Sequence, residues 1–180
     1  MKALAIHQTK VEAAAALQVL CASLFIGLCA QIKIPLFFTP VPISGQTLAT
    51  LLVGASLGSK RGALAALLYL AEGAIGLPVW AGGAFGALCL LGPTGGYLLS
   101  YPLQVYFVGK FVEKKEKPGF VITFGALFVL CSLQLGIGTA WLANFVPENR
   151  VLMLGFTPFI PGEMLKSLLV ATWIKQRREP

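Results

Sequence analysis

Six stretches of the chain run with almost no charge, at about residues 11–32, 46–58, 61–77, 95–112, 120–143 and 156–174. Segments that are apolar on every face are core or membrane helices rather than surface helices. A full crossing needs about 20 residues, so 46–58 is short for one. The pattern predicts an all-α integral membrane protein, with six transmembrane helices in a single domain over residues 1–180 and the lipid bilayer as its solvent. Two connections are themselves apolar and rich in Gly and Pro. One runs from Pro35 to Gly45; the other covers Gly76–Gly86 and continues through Gly92-Pro93-Thr94-Gly95-Gly96-Tyr97. Irregular backbone at membrane depth is tolerated where it is buried or lines a cavity. Both loops therefore predict a cavity near one face of the bundle.

Composition agrees: the 180 residues are 57% hydrophobic and 12% charged, with a mean hydropathy of +0.80. The net charge of +7 is no sign of nucleic acid, because the basic residues fall in short clusters between apolar runs. With six crossings, Lys2, Lys10, Lys60, Arg61, Lys110, Lys114, Lys115, Lys117, Lys175, Arg177 and Arg178 share one side. Lys33 and Arg150 lie opposite, and Lys166 is within the membrane. The positive-inside rule then predicts cytoplasmic termini and Pro/Gly loops that open the cavity outward.

Cys21, Cys29, Cys89 and Cys131 form no CxxC pair and read as small buried apolar residues. Lys2 and Lys10 ahead of an apolar run imitate a signal peptide. Leu28 at −3 of Ala30 breaks the small-residue cleavage pattern, so the segment reads as retained. Gly54-x-Ser-x-Gly58 matches a hydrolase elbow in letters only, since the chain lacks Asp and its one His, His7, is remote. There is no P-loop, so the chain cannot harness ATP by one. Neither an enzyme nor a metal or cofactor site is expected.

Glu163 and Lys166 stand out, as charges inside the last apolar segment. Ionisable groups at membrane depth cost several kcal/mol and mark functional sites. Their i, i+3 spacing puts both on one helix face. Pro161-Gly162 just before them starts a helix and lets another group approach the backbone. A structural salt bridge is the alternative. Other positions have two readings. Glu72 reads as interfacial snorkelling; Gln46 as cavity lining or a helix start; Trp80 and Tyr97 as belt aromatics or cavity walls. Ser23-xxx-Gly27 serves internal packing or docks another membrane subunit.

These residues carry a resemblance to BioY, the biotin-specific substrate-binding (S) component of energy-coupling-factor (ECF) transporters. The matching blocks are Ala30–Pro35, Pro40–Ile43, Gln46–Leu48, Gly62–Leu70, Gly76–Gly83, Gly92–Tyr97 and Pro158–Lys166. The resemblance implies an S-component fold in a bacterial cytoplasmic membrane that binds biotin from outside, with a transmembrane coupling subunit and two cytoplasmic ATPases as partners. It makes Glu163 and Lys166 the polar biotin contacts. Gly82 and Gly83 fall in the glycine loop, where some members carry Asn at Gly82. Glu163 stands where Asp is usual. Trp80, Phe85, Phe37 and Phe159 are the expected apolar walls, with Gln46, Thr39 and Tyr97 lining. The first loop is the expected lid, and Ser23 and Gly27 the expected docking face for the coupling subunit. A different vitamin as ligand, a lipid-acting enzyme and a purely structural protein are the competing readings.

Overall fold

A computed structural model describes residues 2–114 and 118–178, with side chains for 12–114 and 118–177. Lys115, Glu116 and Lys117 lie outside the described residues, as do the side chains of Lys2, His7, Lys10 and Arg178. The long elements are α1 (Lys2–Ala30), α2 (Gln46–Ala74), α4 (Gly95–Val112), α5 (Phe120–Leu142) and α7 (Ile160–Arg178). Short ones fill the connections: β1 (Lys33–Ile34) pairs antiparallel with β2 (Ile43–Ser44), and α3 (Ala87–Leu91) and α6 (Val151–Gly155) are about one turn each.

α2 is folded in two. Gly58 has φ 77 and ψ −174, a left-handed conformation that glycine adopts without a Cβ penalty. The amide of Gln46 donates to the Tyr69 hydroxyl, across residues that a straight helix would hold about 35 Å apart. A Cβ on Gly62 would lie 3.4 Å from the Cα of Gly54. Arms 46–57 and 59–74 therefore pack antiparallel, where the sequence pattern places two segments. Among the described residues, three helices are long and apolar enough to cross a membrane, Glu12–Ala30, Gln46–Ala74 and Phe120–Leu142. The fold at Gly58 divides the second into two shorter arms.

Helix approach is set by small residues. A Cβ on Gly54 would sit 2.8 Å from the Val105 carbonyl, and one on Gly109 would overlap the Gly58–Ser59 backbone. α2 thus packs closely on α4, with Ala49, Val53, Ala65, Ala66, Tyr69, Tyr101 and Val105 buried between them. α1 packs on α2, α5 packs on α4, and α7 packs on α5 and α2. Leu17, Leu20, Leu24 and Leu28 on α1, and Val121, Val129 and Leu133 on α5, remain exposed. Such continuous apolar surface suits lipid contact.

Two expectations are corrected. Ser23 is fully buried and donates to the Glu72 carboxylate at 2.9 Å. Gly27 packs against Val79. The pair therefore serves internal packing and offers no docking face. Glu72 does not snorkel: it is buried in the bundle, where α1 supplies its hydrogen bond.

The two ends of the bundle differ. At the Gly58 end, Glu113 accepts the Ser59 N–H at 2.7 Å and its hydroxyl at 2.8 Å. Lys60 and Lys110 lie close enough to add to its stabilisation. At the opposite end sit the β1–β2 hairpin and both Pro/Gly-rich loops.

The Ser59 hydrogen bonds hold Glu113 below its ordinary value of 4.5. A folded-state value below the unfolded one adds stability that is full above the unfolded value and lost as pH falls through the folded one. Glu113→Gln should therefore lower thermal stability at pH 7 and narrow its difference from the wild type at pH 3.5, measured by unfolding in detergent. A constant difference across that range would contradict the clasp.

Candidate functional site

The polar centre is built from α2 and α7. Pro161 cannot supply a ladder N–H, and it is placed in the first turn of α7, where none is needed. Glu163, in that same first turn, and Lys166, three residues on, share a face. Lys166 Nζ lies 2.7 Å from Glu163 Oε1, and the two side chains are 14% and 4% exposed. Thr47, at the start of α2, joins them: its hydroxyl donates to the same Glu163 oxygen at 2.9 Å and accepts from Lys166. Helix start and helix start thus meet through three side chains.

One oxygen of this cluster is left over. Glu163 Oε2 is buried with no hydrogen-bond partner. A buried polar atom without a partner costs about 1–3 kcal/mol, so a ligand donor that reached it would gain a charge-assisted bond. Gln134 Oε1 and Trp80 Nε1 are also buried and unpartnered. Gln134 Nε2 faces the Tyr97 carbonyl at 3.3 Å, so its amide must present oxygen on the other side.

These residues line one cavity of about 160 Å³. Its walls include Trp80, Tyr97, Leu98, Tyr101 and Phe159, with Gln46, Thr47, Gln134, Glu163 and Lys166 as polar points. Drug-sized sites run from about 300 Å³ upward, so the occupant is a small molecule. Gln46 both starts α2 and lines the cavity. Its amide is pinned, donating to Tyr69 and accepting from Ser44 Oγ at 2.7 Å. Trp80 is 1% exposed and Tyr97 5%, which makes both walls and not belt residues. The Tyr97 hydroxyl donates to the Gly155 carbonyl at 2.7 Å, with Thr139 beside it. Phe159 packs against the Tyr97 ring, 6.4 Å between centroids.

Other expected lining residues lie elsewhere. Phe37 is fully exposed and Phe85 is 58% exposed, so neither is a wall. Thr39 turns away and donates to the Leu154 carbonyl at 2.8 Å, tying the first loop to α6. Its neighbours Pro40–Ser44 line the cavity in its place. Gly82 and Gly83 are not in the lining. They have φ 69 and 78 and form the turn in which Trp80 pairs with Ala84. Their role is to hold Trp80 inward. Thr47, Tyr101, Gln134 and Lys33 are among the lining residues that the sequence does not mark as such. Thr47 and Lys33 fall in matched blocks, the one available signal. Among the described residues, no three His, Cys, Asp or Glu side chains gather as a metal site requires.

Comparison with known proteins places this arrangement. Residues 5–179 match the model of the BioY family. The chain is 38% identical over 177 residues to the biotin transporter BioY of Rhodobacter capsulatus, covering 85% of this chain and 92% of that one. It is 36% identical over 148 residues to the probable biotin transporter BioY of Pyrococcus horikoshii, covering 81% and 86%. Its fold is similar to the crystal structure of the S-component for biotin from an ECF-type ABC transporter. That match has a TM-score of 0.80, 28% identity, and coverage of 95% and 94%.

The buried pair has a stability consequence independent of any ligand. Lys166→Met leaves Glu163 buried and unpaired, which should cost about 3–5 kcal/mol. Adding Glu163→Leu should recover most of the loss, since an apolar pair is tolerated where a lone charge is not. Thermal unfolding of the single and double variants in detergent checks this. A single variant as stable as the wild type would show the pair to be solvated.

Proposed function

The chain belongs to the BioY family, and we propose that it is a high-affinity biotin-binding S component that mediates biotin uptake. It is a transporter component rather than an enzyme. The observation that carries the ligand assignment is the free oxygen of Glu163, buried at the floor of an apolar cavity beside an ammonium.

Biotin's ureido ring carries N–H donors and a C=O acceptor, its second ring is apolar, and its tail ends in a carboxylate. In this reading Glu163 Oε2 accepts a ureido N–H. Lys166 gives its remaining donor to the ureido oxygen or a neighbouring acceptor, and Thr47 holds both in place. Gln46 and Gln134 supply further polar points. Trp80, Tyr97, Tyr101 and Phe159 close on the rings. A ligand of about 16 heavy atoms reaches nanomolar affinity at roughly 0.8 kcal/mol per atom, within reach for a small enclosed molecule. The first loop, held to α6 by Thr39, acts as the lid.

The same reading has six helices crossing a cytoplasmic membrane, with the arms of α2 as the second and third. Both termini and the Lys60–Lys110 end are cytoplasmic, and the cavity opens outward. Without a P-loop the chain needs an external engine. A transmembrane coupling subunit and two cytoplasmic ATPases would reorient the loaded protein.

Titrating detergent-purified protein with biotin, with desthiobiotin and thiamine as controls, should give tight saturable binding near one biotin per chain. Glu163→Ala and Lys166→Ala, each removing one partner of a buried charge-assisted contact, should weaken it by about 100-fold. Well-folded protein that ignores biotin but takes another vitamin would overturn the ligand assignment. For topology, a cysteine placed at Lys60 should resist a membrane-impermeant reagent in intact cells, and one at Lys33 should react.

A further inference from the structure

Two cations line the cavity, Lys33 and Lys166. Lys166 is engaged by Glu163 and Thr47. The Lys33 side chain has no hydrogen bond or ion pair among the described residues. Depth separates the two: the Lys166 side chain is 14% exposed, whereas Lys33 is exposed at the rim.

The rim position is built. Lys33 lies on β1 opposite Ser44 of β2, itself a lining residue. The end of α1 is braced to the glycine loop, for the Gly82 N–H donates to the Ala30 carbonyl at 3.3 Å. Gln31 Nε2 donates to the Gly27 carbonyl at 2.9 Å and the Pro78 carbonyl at 3.3 Å. The Lys33 stem lies across Gly82, where a Cβ would come within 2.7 Å of Lys33 Cδ and 3.3 Å of Nζ. Gly82, at φ 69, thus leaves open the space that the lysine stem crosses. An ammonium held over a mouth whose floor already has its own charge pair calls for an anion at the outer end of the ligand.

We propose that Lys33 is a specificity residue that pairs with a carboxylate at the distal end of the bound ligand, so that the site selects a neutral polar head and an anionic tail. The assignment rests on the biotin reading, in which the head is the ureido ring and the tail the valerate. It also gives Gly82 a function: it contacts the ligand through the lysine it accommodates and not directly.

The test measures affinity for biotin and for biotinamide, its neutral near-isostere, with wild-type protein, Lys33→Gln and Lys33→Arg. A hydrogen bond to a charged group at a partly open site corresponds to about tenfold in affinity. Wild type should prefer biotin over the amide by about that factor. Lys33→Gln should abolish the preference by weakening biotin alone, and Lys33→Arg should keep it. Raising salt from about 0.1 M to 1 M should erode the preference in the wild type, because an exposed ion pair is screened. A preference that survives in Lys33→Gln, or an equal loss for both ligands, would overturn the assignment. So would wild-type protein that binds both ligands alike, and that result would leave the biotin reading standing. Folded wild-type protein that binds neither ligand would overturn both.

Discussion

A carboxylate and an ammonium 2.7 Å apart, inside a bundle whose other buried carboxylate, Glu72, has only a serine hydroxyl for a partner, set the terms for the rest of the molecule. Burying them costs several kcal/mol each, and their mutual attraction repays this only when further hydrogen bonds complete the geometry. Thr47 supplies those bonds to one carboxylate oxygen, and nothing supplies them to the other. The bundle is thus organised around a polar cluster that its own side chains leave one partner short.

The architecture follows from presenting that cluster to one small cavity. α7 must begin just before Glu163, which Pro161 permits, and α2 must bring Thr47 across to meet it. The turn at Gly58 returns α2 so that Tyr69 can pin Gln46 at the same end. The glycine turn at residues 82 and 83 pulls Trp80 in as a wall and, at its outer side, makes room for Lys33. Charge is thereby sorted by depth: a compensated pair at the floor, a free cation at the rim, and a basic opposite end where Glu113 clasps Ser59.

Much of this was legible in the sequence, and what was missed has physical causes. The start of α4 after Gly92-Pro93-Thr94 and the two-segment character of α2 could be read because Pro and Gly punctuate local structure. Glu163 and Lys166 could be read because charge in an apolar run is costly. Glu72 reads as interfacial because its partner, Ser23, is 49 residues away and only packing brings them together. An aromatic residue in a loop shows its size but not its direction, so Phe37 and Phe85 read as walls yet point outward. Ser23 and Gly27 show that a small-residue pair marks close approach without saying whether the neighbour is internal. Gln134 lies in an unbroken apolar run of α5, where no local signal separates a cavity amide from a packing one.

The central claim is that the uncompensated Glu163 oxygen is the acceptor for a ligand N–H. Competition between labelled biotin and an analogue N-methylated on its ureido ring tests it most directly. If the claim holds, methylation weakens binding by about 100-fold in the wild type, and the penalty shrinks in Glu163→Ala. Equal competition by the methylated analogue in the wild type would contradict it.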